Sequence, residues 1–254
     1  MKGFGNNDKS IEKLKEKKVN TNTLQKDKLI SKAFLLHSSG KIKEAIEIYN
    51  FLIQNKVYDP RVFNNLGSIY SQLKQFDKAI SLFDESIKKF PKSLEAYNNL
   101  ANIFVIKGKN DIAKRILNKT IELNPKFLKA YSNLASIYVG EGNLEKAELF
   151  LRKSLEINSK DINTLVNLAC VLKDLGNPKQ AEIFLREALE INPKFDFALI
   201  NLGVILNELG KIDEGEEFLR KALKINPNSP MALNNLGNIL TKKNKNKDAE
   251  ICYR

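Results

Sequence analysis

A 34-residue step runs through this chain. Ala45, Ala79, Ala113, Ala147, Ala181 and Ala249 are separated by multiples of 34, and the missing member of the series, Gly215, is also small. A period of this length means a stack of supersecondary units, each too small to hide its own apolar surface. With the small residue counted as position 20, units begin at residues 26, 60, 94, 128, 162, 196 and 230. Position 7 then reads Leu66, Leu100, Leu134, Leu168, Leu202 and Leu236, with Lys32 the exception in the first unit. Position 8 is always alanine or glycine: Ala33, Gly67, Ala101, Ala135, Ala169, Gly203 and Gly237. Position 24 is always large: Tyr49, Phe83, Leu117, Leu151, Leu185, Leu219 and Tyr253.

Each unit encodes two helices. Positions 4, 7, 8 and 11 follow the i, i+3, i+4, i+7 spacing of one helical face. A stop follows at position 15, where Gly40, Gly108, Gly142, Gly176 and Gly210 can enter the left-handed region that ends a helix. Asn244 tolerates that conformation too, and Lys74 departs from the rule. The second helix carries positions 20, 24, 27 and 28 and ends at Asn124-Pro125, Asn192-Pro193 and Asn226-Pro227, with Phe90-Pro91 and Asn158-Ser159 as variants. Small residues at 8 and 20 let two antiparallel helices approach to about 8–9 Å. The expected fold is therefore all-α, a solenoid of about seven helix-turn-helix units.

Aromatic or leucine at 4, leucine at 7, Gly/Ala at 8, aromatic at 11, alanine at 20 and proline at 32 together resemble the tetratricopeptide repeat. Tyr97-Asn-Asn-Leu100-Ala-Asn-Ile-Phe104, through Ala113 to Pro125, is a near-complete instance. The resemblance covers residues 26–254 and implies a right-handed superhelix with a concave groove. In similar proteins that groove is lined by positions 2, 5, 6, 9, 12 and 13 of each unit. It also implies a scaffold that binds other proteins or peptides.

One lining position stands out. Position 6 is Asn65, Asn99, Asn133, Asn167, Asn201 and Asn235, with Ser31 in the first unit, while positions 5 and 9 drift. Asparagine in a helix costs on the order of 0.5 kcal/mol against alanine. A carboxamide offers both a donor and an acceptor, so a ladder of them can hold the backbone of an extended polypeptide whatever its side chains. Similar ladders occur in the repeat arrays of O-linked N-acetylglucosamine transferases. Asparagine at this position is also common in such repeats generally, where it bonds neighbouring helices, and the sequence leaves both readings open. The family's two-carboxylate clamp needs lysine at 5 and arginine at 6, and no unit here has either.

Charge separates the remaining partners. The chain carries a formal net charge of +12, yet Arg61, Lys129, Lys173 and Lys242 at lining positions are balanced by Asp27, Glu95, Asp174 and Glu208. Nucleic-acid binders concentrate basic and stacking groups along a track, so a neutral groove argues against a nucleic-acid partner. Chemistry is thin as well. His37 is the sole histidine, Cys170 and Cys252 stand two units apart, and Gly140-Glu141-Gly142 is an inter-helix turn with no preceding strand to make it a phosphate cradle. No catalytic residue, cofactor or metal site is expected.

The ends complete the pattern. Residues 1–25, with Lys2, Lys9, Lys13, Lys15, Lys17 and Lys18 against Asp8, Glu12 and Glu16, read as a flexible basic leader that frays into the first helix around Leu24. There is no apolar stretch of signal or membrane-spanning type, which points to a cytoplasmic protein without membrane insertion. Arg254 falls at position 25, inside the second helix of the seventh unit. That leaves the apolar face of Leu233, Leu236, Leu240 and Tyr253 expected to be bare and open to end-to-end self-association. The alternative functional expectation is that the array is the substrate-recruiting front of a longer glycosyl-, sulfo- or methyltransferase.

Overall fold

The computed structural model describes residues 23–254, and most of the expected leader lies outside them. Helix α1 (Thr23–Ser38) takes in the last three residues of that leader. Then follow α2 (Ile42–Gln54), α3 (Pro60–Gln72), α4 (Phe76–Lys89) and α5 (Leu94–Ile106). The chain continues with α6 (Asn110–Leu123), α7 (Leu128–Gly140), α8 (Leu144–Ile157), α9 (Ile162–Asp174) and α10 (Pro178–Ile191). It ends with α11 (Asp196–Glu208), α12 (Ile212–Ile225), α13 (Pro230–Lys242) and α14 (Asn246–Tyr253). Strands are absent among the described residues. The described repeats fall into two compact bodies, which divide between Lys107 and Gly108.

The first helices start 34 residues apart, at Pro60, Leu94, Leu128, Ile162, Asp196 and Pro230, and the second helices start at position 17 of each repeat. Their ends follow from local chemistry. Asp59, Asp161 and Ser229 cap α3, α9 and α13 by accepting from Arg61, Thr164 and Ala232 backbone N–H groups. Past the first helices the chain turns through a left-handed residue, and the next N–H closes back on the helix: Asn177 N–H donates to the Leu172 carbonyl at 2.8 Å, and Lys211 N–H to Leu206 at 2.8 Å. After the second helices Asn124, Asn158 and Asn192 each accept, through Oδ1, the backbone N–H two residues on.

Lys74 does not depart from the glycine rule in conformation. Its φ is 58°, beside 70–80° at the five glycines and 61° at Asn244. The turn is imposed by the packing of α3 on α4, and the lysine side chain bears the strain. Lys74→Gly is expected to raise stability by about 0.5–1 kcal/mol, measured as a shift of the denaturation midpoint. No shift, or a fall, would mean that the entropy of glycine in the unfolded chain outweighs the relieved strain.

Within each body, a second helix lies against both its own first helix and the next one. In the first body Ala33, Ala45, Tyr49, Leu52, Val62, Leu66 and Ile69 form one buried cluster. In the second, Ala147, Leu151, Leu165, Leu168, Ala181, Leu185, Ala198 and Leu202 belong to another. The close approach at positions 8 and 20 is real: a Cβ at Gly67 would stand 2.6 Å from the Phe83 ring, and one at Gly237 2.5 Å from the Tyr253 ring.

Two expectations need correction. Leu236 and Leu240 are buried, since α14 covers them, so the face expected to be bare is reduced to exposed Ile251 and Tyr253 with half-buried Leu233 and Cys252 around them. Position 5 also turns inward in part of the array: Asn98, Val166 and Ile200 are buried there, while Ser132 is half-buried and Asn234 exposed. Asn64, at the same position, is tied down from both ends of its carboxamide. Its Nδ2 donates to the Ser93 hydroxyl, and the Ser86 hydroxyl donates to its Oδ1.

Candidate functional site

Within each body the first helices of consecutive repeats present positions 2, 6, 9 and 13 to one side, and the asparagines of that body lie on that wall. In the first body Asn65 is on α3 and Asn99 on α5, both half-buried. In the second body Asn133, Asn167, Asn201 and Asn235 sit on α7, α9, α11 and α13, where Asn167 is exposed and the others half-buried.

Their bonding is not uniform. Asn65 Nδ2 donates to the Tyr49 hydroxyl at 3.0 Å, tying α3 to the preceding α2. Asn201 Nδ2 donates to the Phe197 carbonyl and Asn235 Nδ2 to the Met231 carbonyl, both at 2.8 Å and both four residues back on their own helix. Asn201 Oδ1 also accepts from Cys170 Sγ at 3.6 Å, across from α9 to α11. Part of the ladder's hydrogen-bonding capacity is thus spent on the scaffold. Asn201 and Asn235 each commit one N–H of the carboxamide in this way, and the amide nitrogen carries a second.

A cleft of about 220 Å³ opens between α7 and α9. Asn167 stands at its edge with Ser132 and Ser136, while Val139, Leu151 and Val171 give it an apolar lining. Cys170 also lines it. Burial pushes the Cys170 thiol pKa up, with help from the Asp174 carboxylate and against the pull of Lys173. A raised pKa favours the thiol form, which donates to Asn201 Oδ1.

Some of the charges on the wall are paired locally. Lys173 pairs with Asp174 at 3.2 Å. Its ammonium is disfavoured by burial, but Asp174 and then Glu208 outweigh that and raise its pKa. Lys242 Nζ donates to Asn207 Oδ1 at 3.0 Å, linking α13 to α11. In the first body Arg61 bridges Asp27 and Asp59. The His37 Nε2 hydrogen-bonds Gln72 Oε1 at 2.9 Å.

Two side chains on this wall are not singled out by the sequence pattern above. Phe197 and Met231, both at position 2, are 52% and 48% exposed, far more than a core residue of either type. Phe195 packs against Phe197 with ring centroids 6.2 Å apart. The signal was available: large apolar residues 34 apart at a position that otherwise holds Asp27, Arg61, Glu95, Lys129 and Asn163. Among the described residues no cluster of His, Cys, Asp and Glu could hold a metal ion, and no helix is long and apolar enough to cross a membrane.

Fold and wall together define an all-α helical-repeat protein. Tetratricopeptide repeat models match residues 127–194, 197–229 and 218–251, and the model of the N-terminal TPR repeats region of Psidin matches residues 4–116. The chain belongs to the tetratricopeptide repeat proteins, whose fold serves as a protein-interaction scaffold. No curated protein matches the sequence. Among solved structures it is similar to a tetratricopeptide repeat protein from Parabacteroides merdae, at 18% identity over 89% of this chain and 90% of that one, with a TM-score of 0.67. PilF of Pseudomonas aeruginosa is 15% identical over 76% of this chain and 88% of its own, also with a TM-score of 0.67. YrrB, described as a TPR protein with an unusual peptide-binding site, is 24% identical over 67% of this chain and 88% of its own, with a TM-score of 0.55. At these identities the likeness is one of fold.

Proposed function

We propose that the inner wall holds an extended polypeptide, with the position-6 asparagines as its backbone contacts: Asn65 and Asn99 in the first body, Asn133, Asn167, Asn201 and Asn235 in the second. The observation that carries this reading is Asn167, exposed on the rim of a cleft whose interior is apolar and whose edge is polar. Such a cleft accepts a small side chain while a carboxamide takes the adjacent backbone group. The equal numbers of basic and acidic side chains at the lining positions favour polypeptide over nucleic acid. YrrB, with its peptide-binding site, lends support by likeness of fold.

Each asparagine contact is expected to add about 0.5–1.5 kcal/mol net. Removing three should therefore weaken binding by about a hundredfold. The test is affinity capture from a bacterial lysate with the native chain and with Asn133→Ala/Asn167→Ala/Asn201→Ala, together with thermal melts of both. The expected result is loss of the captured polypeptides with little change in melting temperature. Unchanged capture with a lowered melting temperature would show that the asparagines serve the scaffold alone.

A further inference from the structure

The cleft between α7 and α9 has a cause in the sequence. Its α7 side is made by Ser132 at position 5 and Ser136 at position 9. No other first helix has serine at both places: α9 carries Val166 with Cys170, α11 Ile200 with Val204 and α13 Asn234 with Asn238. In α9 and α11 the position-5 side chains are buried and fill the seam. On α7 two hydroxymethyl groups stand in their place, and the Ser136 hydroxyl donates back to the Ser132 carbonyl at 3.0 Å. The space left open reaches the core, since Ala135, Leu151 and Val171 on its lining are buried residues.

Size and chemistry limit what such a space can hold. At about 220 Å³ it is smaller than the roughly 300 Å³ at which sites for whole small molecules begin. It is larger than the roughly 150 Å³ in which a dry apolar cavity accepts a benzene molecule. One apolar side chain fills it. Ala135, Val139, Leu151 and Val171 offer it only methyl and methylene groups, so a charged or amide group seated among them would lose its hydrogen bonds to water. Asp174, the charged residue on the lining, is already paired with Lys173 at 3.2 Å. Exposed Asn167 stands at the edge, where its carboxamide can meet the backbone beside a seated residue.

We propose that this cleft is the specificity pocket of the wall: it takes one branched aliphatic side chain of an extended polypeptide, and serine at positions 5 and 9 of α7 is what admits it. The inference rests on the groove reading and adds a side-chain requirement to it.

The test uses the full chain and three short fluorescent peptides of serine and glutamine, with leucine, alanine or lysine at the centre. By anisotropy the leucine peptide is expected to bind at least about tenfold more tightly than either of the others. In a Cys252→Ser background Cys170 is the remaining cysteine, and it lines the cleft. The leucine peptide should slow its alkylation by N-ethylmaleimide, and the alanine peptide at equal concentration should not. Ser132→Ile/Ser136→Val installs the pair that α11 already carries, so the helices should persist by circular dichroism while the leucine peptide falls to the level of the alanine peptide. Ser136→Val alone, at an exposed position, is the milder filling and should remove part of the preference. Equal affinity of the three peptides, binding of none, a preference for lysine, a leucine preference that survives both fillings, or tight leucine binding without protection of Cys170 would each overturn the inference. Lysate capture keeps the two readings apart. If the triple asparagine variant loses the captured polypeptides while the native chain shows no leucine preference, the groove stands and the specificity pocket falls. If the leucine preference holds while capture ignores the asparagines, the pocket stands and the ladder falls.

Discussion

Valine in place of Gly203 is expected to destabilise the second body by about 3 kcal/mol, at the upper end of what overpacking costs. A Cβ at Gly203 would stand 2.7 Å from Leu219 Cγ and 3.0 Å from the Gly215 carbonyl oxygen. The first obstacle is a fully buried side chain and the second is backbone, so neither can step aside without opening the seam between α11 and α12. Gly215 answers from the other side, since its own Cβ would lie 2.8 Å from the Gly203 carbonyl oxygen. Glycine at both 8 and 20 brings these two helices closer than alanine at either would allow. Gly140→Ala is the control, because a Cβ there meets nothing within 4 Å. It should be neutral or stabilising by up to about 1 kcal/mol. Denaturant melts followed by helical circular dichroism decide the matter, and a loss below about 1 kcal/mol for Gly203→Val would disprove the close-seam account.

The same logic predicts a rescue in the first body. Gly67 faces Phe83, whereas Ala101, Ala135 and Ala169 stand in repeats whose position 24 is Leu117, Leu151 and Leu185. Gly67→Ala alone should cost about 1–2 kcal/mol. Adding Phe83→Leu should return part of that, because it recreates an alanine–leucine pairing that three other repeats already use.

Loss of the Asp59 carboxylate is expected to cost about 2 kcal/mol at neutral pH, from a helix cap worth about 1 kcal/mol and charge-assisted hydrogen bonds of similar size. Asp59 is 6% exposed. It caps α3 through the Arg61 backbone N–H, and its carboxylate also meets Arg61 Nε and Lys26 Nζ, each at 2.9 Å. Burial by itself would raise its pKa. The hydrogen bonds from Arg61 and Lys26 outweigh it and hold the carboxyl well below the usual range. A depressed pKa means that the folded state binds the proton less readily than the unfolded chain. The stabilisation is therefore complete above the unfolded carboxylate range near pH 4 and drains away as pH falls through and below it. Melts of the native chain and Asp59→Ala from about pH 7 to about pH 3 should converge on the acid side. A gap that stays constant or widens on acidification would show that the carboxylate charge is not what stabilises the cap.

The period of 34 was sufficient to read the helix pairs. Positions 7, 8, 20 and 24 alternate large and small because only such alternation lets antiparallel helices close, and glycine or asparagine-proline at the ends permits nothing else. Other features were out of reach. Lys74 looked like an exception, yet the packed helices on either side force it through the glycine's conformation. Position 5 looked like groove lining, yet in Asn98, Val166 and Ile200 it turns into the seam between repeats. The last helix looked too short to cover anything, yet α14 buries Leu236 and Leu240.

The candidate wall divides in the same way. Which residues stand on it was legible, because helical periodicity is a property of the chain alone. What each carboxamide bonds was not. An asparagine can donate to a tyrosine across a seam, as Asn65 does, or to its own helix, as Asn201 and Asn235 do, and sequence spacing ranks neither choice above the other. Only the distances between packed helices decide which partner is within reach. They also decide how much of the ladder, and which apolar ledge beside it, is left to face a ligand.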